Sequence, residues 1–146
     1  MTVRFLYYPI PEPVAVSGLA FFWRGSVAEI LRNHYVLAVH DLGISARFFR
    51  DLGFEVVSEP EGWVFVAKGS CMVMLGECRD ALAPSELGDH GYFGYLVVDD
   101  LDGYHREIVA KGVEITSPPG DRPWGMREFG VRSPEGHRLM IGQRIG

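Results

Sequence analysis

His34 is the first residue of this chain with both a side chain and a setting suited to metal or acid–base chemistry. It precedes the run Tyr35 to Val39, which is rich in β-branched and aromatic residues and predicts a strand. Strand alternation places His34 and Val36 on one face and Leu37 on the other. We expect a helix to cover the Leu37 face, so His34 should point away from it. A lone histidine at a strand start is nevertheless more often a structural residue than a ligand.

Motifs of nucleophilic and phosphate chemistry are missing from the sequence. It contains no G-x-S-x-G, no phosphate-binding loop and no G-x-G-x-x-G. The two cysteines, Cys71 and Cys78, do not form a C-x-x-C pair, and nothing indicates a disulfide framework. Cys71 lies in an apolar run and is expected to be a small buried side chain.

Aromatic residues with a few polar neighbours form a second set that could do chemistry. Alternation predicts that Phe93 and Tyr95 share a face. Trp63 adjoins a predicted turn, and Trp124 lies in a loop-like, proline-rich run. Such rings can stack on planar ligands, and tryptophan also attracts cations. The structural alternative is that they fill the core, which we favour for Phe65.

An internal repeat with an offset of 59 residues supplies the elements that position these residues. Leu37 to Leu42 corresponds to Leu96 to Leu101, and the offset then continues without a gap. Seven positions are identical between the copies: Leu37, Val39, Asp41, Leu42, Arg47, Gly53 and Glu55. Each copy therefore has the same predicted structure, a strand, a helix and three shorter strands.

Local signals within each copy agree with this pattern. Asp41 is placed to cap the first helix, because its carboxylate can accept from free N–H groups in the first turn. Gly53 and Gly112 follow the two helices, where a left-handed C-cap favours glycine. The polar stretch from Arg79 to His90 is expected to link the copies. Ser26 to Leu31 could form a short helix before the repeat.

Composition indicates one soluble globular domain and disfavours nucleic-acid binding. The chain has 146 residues, with 47% hydrophobic and 23% charged residues. Its formal charge of −5, without a run of Lys and Arg, is unlike that of most nucleic-acid binders. Prolines 9, 11 and 13 interrupt the apolar N-terminus before it reaches the roughly 18 residues of a membrane helix. It also lacks a signal-peptide layout, so we expect a cytoplasmic protein without a membrane partner.

The motifs together resemble the vicinal-oxygen-chelate superfamily, which includes glyoxalases, bleomycin-resistance proteins and dioxygenases. The resemblance is carried by His34–Leu42 with Phe48–Phe54, by Val98–Leu101, by Pro123–Phe129 and by Ser133–His137. It implies an α+β fold in which two βαβββ modules form curled mixed sheets around a cavity. We expect residues 1–30 to be an N-terminal extension and 31–146 a single domain, with modules at 31–78 and 91–146.

The resemblance also implies where a divalent metal would bind in the enzymes, on the first and fourth strands of each module. His34 fits the first position, but its counterpart is Phe93, and Met140 stands where a glutamate would ligate. Aligning Gly69 with Gly136 puts Val73 opposite Met140. A phenyl ring cannot ligate, and a thioether is a poor ligand for these metals. A relocated site would need His34, Glu77 and Glu128, with His90 as a further candidate.

We therefore predict that no cofactor is required and that the cavity is an aromatic, largely apolar pocket for a small organic molecule. The predicted pocket residues are His34, Val36, Trp63, Phe93, Tyr95, Trp124, Glu128, Arg138 and Met140. The first hypothesis is an antibiotic-binding protein that acts by sequestration and resembles bleomycin-resistance proteins, and we expect it to be a homodimer. The second is a divalent-metal-dependent lyase, isomerase or dioxygenase. The third is an interaction module with the N-terminal segment as the contact.

Overall fold

The computed structural model describes residues 33–90 and 92–146, and these form two βαβββ modules. The first module contains β1 (Tyr35–Val39), α1 (Leu42–Asp51), β2 (Glu55–Ser58), β3 (Trp63–Lys68) and β4 (Cys71–Glu77). Two short 3-10 turns that meet at a kink at Gly88 span Pro84–His90, in the predicted linker. The second module contains β5 (Tyr92–Val97), α2 (Leu101–Ala110), β6 (Glu114–Arg122), β7 (Met126–Arg132) and β8 (Arg138–Arg144). The predicted fold class is confirmed.

The two modules share one topology. The first sheet has the order β1-β4-β3-β2 and the second has the order β5-β8-β7-β6. In each sheet the first strand pairs in parallel with the fourth, and the other pairs are antiparallel. The sheets are not closed. The 59-residue repeat in the sequence is therefore a repeat of structure.

The helix ends follow from single residues that the repeat places at equivalent positions. The Asp41 carboxylate accepts from the Ile44 N–H, and the Asp100 carboxylate accepts from the Gly103 N–H. These bonds satisfy first-turn donors that have no partner within the helix. Gly53 follows α1 with φ of 83°, a left-handed conformation that costs glycine little. Among the described residues, no helix is long and apolar enough to span a membrane.

Each helix packs against its own sheet, and the buried side chains of both helices join one core. The Tyr104 hydroxyl in α2 donates to the Leu52 carbonyl that follows α1, at 2.6 Å. A second contact between the modules lies at the start of α1, where the Glu135 carboxylate accepts hydrogen bonds from the backbone N–H groups of His40 and Asp41. The closing hairpin of the second module therefore holds the start of the first helix.

The faces of the sheets turned away from the helices carry no covering element from the described part of the chain. We call each of them an open face. In the first sheet, β1 and β4 turn Tyr35, Leu37, Val73 and Leu75 towards the core and leave Val36 on the open face. In the second sheet, Leu139 and Ile141 are buried under α2, and Met140 between them lies on the open face.

Three predicted details differ from the structure. We predict that Val73 faces the cavity, but its side chain is buried in the core. The residue equivalent to Met140 is instead Met74, because Met74 pairs with Val36 on β1 as Met140 pairs with Tyr95 on β5. The proline-rich run expected to be a loop is strand up to Arg122. The predicted helix from Ser26 to Leu31 and the extension 1–30 lie outside the described residues.

A bulge in β5 gives the third difference. The register shifts between Tyr92 and Gly94, so simple alternation fails there. Phe93 consequently turns to the core side, where its ring meets those of Tyr35, Phe49 and His137 at centroid distances of 6.0 to 6.1 Å. The prediction that Phe93 shares a face with Tyr95 was therefore wrong.

Candidate ligand-binding site

The open face of the first sheet is apolar. Val36 is 61% exposed, and Trp63 is 37% exposed. The Trp63 ring lies over Gly76, where an added Cβ would be 2.8 Å from the indole. Phe65, favoured above as a core residue, instead pairs across the sheet with Met74 on this open face. A flat apolar surface of aromatic and thioether side chains results, which suits contact with another apolar surface.

The open face of the second sheet is built around Glu128 on β7. This carboxylate is only 5% exposed. It accepts a hydrogen bond from the Tyr95 hydroxyl at 2.6 Å and another from the Trp124 indole N–H at 2.9 Å. Arg122 Nε lies 3.5 Å from its second oxygen. Three side chains from three different elements are thereby fixed on one acceptor.

The charges in this cluster are settled by these contacts. Burial acts to raise the pKa of Glu128, but the hydrogen bonds from Tyr95 and Trp124 and the charge of Arg122 outweigh it and lower the pKa. Burial and the bond to Glu128 raise the pKa of Tyr95 to about 12. At neutral pH, Glu128 is therefore ionised and Tyr95 remains a hydroxyl donor.

The close approach of Tyr95 to Glu128 depends on a glycine between them. Gly142 on β8 pairs with Val97 on β5 and with Glu128 on β7. It therefore lies between the two strands that carry Tyr95 and Glu128, and the Tyr95 ring passes over it to reach the carboxylate. A Cβ at this position would collide with the Tyr95 ring and hydroxyl. Gly76 has the same relation to Trp63 in the first sheet, so both modules use a glycine in the fourth strand to seat an aromatic ring.

Arginines surround this cluster on the same face. The strand register places Met126 between Arg122 on β6 and Arg144 on β8. Arg138 donates to the Gly88 carbonyl at 2.7 Å and lies over the Tyr92 ring. The second open face is therefore aromatic and cationic, whereas the first is apolar.

Most of the predicted pocket residues lie on the open faces, although in two separate groups. Val36 and Trp63 belong to the first sheet, and the second sheet carries Tyr95, Trp124, Glu128, Arg138 and Met140. His34 is exposed just before β1. Phe93 is in the core, as described above. Their roles in ligand binding stay predictions.

The residues proposed for a metal do not come together. His34 precedes the start of β1, whereas Glu77 pairs with Val39 at the other end of the same strand. Glu77 is also ion-paired with Arg79, and Glu128 is engaged in the second sheet. Within residues 33–90 and 92–146, no group of three or more His, Cys, Asp or Glu is arranged to hold a metal ion. These side chains do not fit a divalent metal at the positions where the resemblance implies one.

Sequence reasoning missed Arg122, Met126 and Arg144 as neighbours of the site. In the sequence, Arg122 lies in a run that is typical of a loop, because Pro118 and Pro119 interrupt the strand pattern. The signal that could have found them is the alternation of Met126, Glu128 and Gly130 along β7, which places Met126 beside Glu128.

A cleft of about 430 Å³ opens where β5 passes the turn between β3 and β4. Tyr95 and Met72 reach it from the open faces, and Tyr104 and Cys71 line its inner wall. Its one ammonium, Lys68, already donates to the Leu52 carbonyl at 3.2 Å and lies over the Tyr104 ring. Burial raises the pKa of the Cys71 thiol, which disfavours a reactive thiolate. Asn33 and Ser70 also line the cleft, so the surface next to Tyr95 is a mixture of polar and apolar groups.

Comparison with known proteins gives one family. Residues 32–141 match the Glyoxalase/Bleomycin resistance protein/Dioxygenase superfamily. A comparison with curated proteins finds no match.

Solved structures of the same fold are similar over most of their length. A bleomycin-binding protein complexed with bleomycin is 25% identical, with a TM-score of 0.65, covering 77% of this chain and 98% of that one. The bleomycin resistance determinant encoded on transposon Tn5 is also 25% identical, with a TM-score of 0.66 and coverage of 77% and 97%. A superfamily member from Sphaerobacter thermophilus is 25% identical, with a TM-score of 0.64 and coverage of 80% and 98%.

Proposed function

This chain belongs to the Glyoxalase/Bleomycin resistance protein/Dioxygenase superfamily, and we propose that it is a binding protein that sequesters a small, antibiotic-like organic molecule. Two structural neighbours are a bleomycin-binding protein and a bleomycin resistance determinant. The ligand of this chain need not be bleomycin. Protection by sequestration requires tight binding in the cytoplasm and no bond made or broken.

The observation that carries this proposal is the exposed, immobilised indole of Trp124. The ring is 66% exposed, yet its N–H is bound to the buried Glu128 carboxylate. An exposed aromatic ring normally retains rotational freedom, which it would lose on binding a ligand. Here the orientation is fixed in advance, so less conformational entropy is lost when a planar molecule stacks on it.

We also propose that the protein acts as a homodimer whose two copies close the pocket. Each chain leaves one apolar and one cationic, aromatic open face uncovered by its described residues. A two-fold axis can place the first sheet of one copy against the second sheet of its partner, and this arrangement satisfies both faces of both chains at once. A ligand held between them would contact Trp63 from one copy and Trp124 from the other.

Thermal unfolding with a panel of planar antibiotics, bleomycin included, tests the proposal. With a chelator present, a true ligand should raise the melting temperature in a concentration-dependent way. Trp124→Ala should abolish most of that shift, whereas Leu82→Ala, another exposed side chain outside both sheets, should leave it unchanged. The ligand should be recovered chemically intact by mass spectrometry.

Two results would contradict sequestration. One is a shift that appears only when Mn, Fe, Ni or Zn is added, with loss of the metal in His34→Ala. The other is conversion of the ligand into a product during incubation. Both would favour a metal-dependent enzyme of the same superfamily.

A further inference from the structure

We propose that the ligand is a planar aromatic molecule carrying an anionic group, with its ring on Trp124 and its anion between Arg122 and Arg144. This inference rests on the proposed function and names the chemical class of the molecule bound. It follows from which charges on the second open face are already paired and which are not.

The carboxylate on this face is not available to a cationic ligand. Glu128 is 5% exposed and accepts from Tyr95 and Trp124 on one oxygen. Its other oxygen faces Arg122. A cation approaching from outside would meet the Trp124 ring and the Arg122 guanidinium before it reached the carboxylate. The Glu114 carboxylate at the edge of the sheet is also engaged by a cation, because it is ion-paired with Arg132 at 3.0 Å.

Positive charge is available on this face. Arg144 has no ion-pair partner among residues 33–90 and 92–146, and it is exposed on β8. Arg122 uses its Nε towards Glu128, and 36% of its side chain is exposed. A guanidinium has five N–H donors, so the terminal nitrogens of Arg122 can serve a second acceptor.

The spacing of the two arginines suits one small anion. Arg122 on β6 and Arg144 on β8 lie on either side of Met126 on β7. Neighbouring strands are about 4.8 Å apart, so the backbones of the two arginines are roughly 10 Å apart. Two long side chains can converge over Met126 from that separation. A carboxylate between two guanidinium groups forms short, charge-assisted hydrogen bonds, which are the strong ones in proteins.

The aromatic part of the ligand is inferred from the side chains that neighbour Arg122, Met126 and Arg144. Trp124 lies in the turn that joins β6 to β7, two residues after Arg122 and two residues before Met126. Its fixed ring gives a planar contact, and the Met126 thioether adds a polarisable one. A flat aromatic ligand with a carboxylate at its edge can therefore stack on the Trp124 indole while its carboxylate contacts Arg122 and Arg144.

The test is isothermal titration calorimetry with three probes that share one ring system: 2-naphthoate, 2-naphthylmethanol and 2-naphthylmethylammonium. Full-length protein is used, with chelator and at low ionic strength. We expect the naphthoate to bind about tenfold more tightly than the alcohol, the order that one charge-assisted hydrogen bond supplies. The ammonium should bind more weakly than the alcohol. Raising the salt concentration should reduce the affinity for naphthoate and leave that for the alcohol nearly unchanged.

Arg144→Met supplies the decisive variant, and Arg127→Met is its matched control. Arg127 is on β7 next to Met126, but it points to the helix side and is ion-paired with Asp102 and Asp121. Arg144→Met should lower naphthoate affinity to that of the alcohol without changing the affinity for the alcohol. Arg127→Met should leave the affinities for all three probes as they are.

The possible failures are distinguishable. If the ammonium or the alcohol binds as tightly as the naphthoate, the charge preference is wrong while binding of planar molecules stands. If Arg144→Met turns a dimer into a monomer in sedimentation velocity, Arg144 serves the interface and the inference is overturned. If none of the three probes binds although a planar antibiotic raises the melting temperature, the inferred ligand class is wrong while sequestration stands. If no antibiotic raises the melting temperature either, the proposed function itself fails.

Discussion

At the scale of single residues, Glu128 is the group on which the arrangement of the second open face depends. Its removal leaves the Tyr95 hydroxyl, the Trp124 N–H and the Arg122 charge without their shared acceptor. We expect Glu128→Ala to lower the free energy of unfolding by about 1–3 kcal/mol, the cost of leaving partly buried polar groups unsatisfied. Urea denaturation monitored by circular dichroism measures this. Glu114→Ala breaks only an exposed ion pair and should cost less than about 1 kcal/mol.

The pH dependence of this effect has a defined sign. Because the folded state lowers the pKa of Glu128 from 4.5, its ionised form stabilises the protein above that pH. The contribution is lost as the pH falls through the lowered pKa. The difference in unfolding free energy between the wild type and Glu128→Gln should therefore be constant near neutral pH and shrink below pH 4.5. A difference that grows in acid would contradict the assigned charge state.

His137 gives a second pH effect in a different range. Burial lowers its pKa from 6.5, although the nearby Glu135 and a hydrogen bond to the Ala38 carbonyl oppose this. Below pH 6.5 the unfolded chain binds a proton that the folded chain does not, so stability should decrease as the pH falls towards the lowered pKa. Urea denaturation at pH 7, 6 and 5 should show this slope in the wild type. His137→Asn should reduce the slope, whereas the exposed His34→Asn should retain it.

Strand alternation places many individual residues correctly but not the partners they find across the sheet. It placed Val36 and Tyr95 on the faces where the structure has them. It left the direction of Glu128 open, and it could not show that Tyr95 and Trp124 share that carboxylate, because they are 33 and 4 residues away in sequence. Such a cluster depends on the strand register, which a single sequence specifies only weakly.

At the scale of elements, the repeat made most of the fold predictable, and the departures occur where an ordinary rule is relaxed. β6 continues through Pro118 and Pro119 because it is the edge strand of the second sheet and its pairing with β7 is irregular between Ser117 and Gly120, so the two missing N–H groups break no ladder bond. β5 bulges at Phe93 because two residues there oppose one on β8. In the sequence, the two prolines hide the extent of β6, and the glycines on either side of Tyr92 and Phe93 permit a bulge without fixing its position.

The glycines of the two fourth strands offer a matched test of how the open faces are held. In Gly142→Ala, the new methyl group must displace the Tyr95 ring, which is bound to Glu128. We expect a loss of about 1–3 kcal/mol in unfolding free energy, as in other overpacked sites. In Gly76→Ala, the methyl group meets the half-exposed Trp63 ring, which can move outwards. Its cost should be about 1 kcal/mol or less.

Unfolding in urea measures both costs, and the pKa of Tyr95, followed by its ultraviolet absorbance, identifies the cause. That pKa, raised to about 12 in the wild type, should fall in Gly142→Ala as the ring leaves Glu128. Equal costs in the two variants, with the pKa of Tyr95 unchanged, would show that the Tyr95–Glu128 bond does not hold the ring.

At the scale of the whole molecule, the two modules share one core, and each of the two sheets keeps an open face. Phe93 packs among rings of the first module, and Tyr104 and Glu135 bond to its backbone. These contacts tie the modules into one core and leave the open faces of the two sheets uncovered by the described residues. The exposed apolar side chains there include Val36 and Val97, at 61% and 69%. A dimer interface must therefore cover both open faces.

The dimer can be tested without disturbing the core. Val97→Lys puts a charge on an open face that is exposed in the single chain, so the fold should remain intact by circular dichroism. In a two-fold dimer the substitution occurs twice. Losing two buried valines costs about 3 kcal/mol or more, which weakens association by roughly 100-fold or more. Sedimentation velocity should then show the wild type at twice the 16.3 kDa chain mass and Val97→Lys at the chain mass itself.

The control for this experiment is Val109→Lys, which places the same charge on the outer surface of α2, where Val109 is 45% exposed. It should sediment as the wild type does. If the ligand pocket lies between the copies, Val97→Lys should also lose the ligand-induced rise in melting temperature, while Val109→Lys keeps it. A Val97→Lys protein that remains dimeric would place the interface elsewhere, and the open faces would then bind their ligand within a single chain. Dissociation together with loss of ligand binding would show instead that the site is incomplete without the second copy, because one chain offers Trp124 and its arginines no opposing wall.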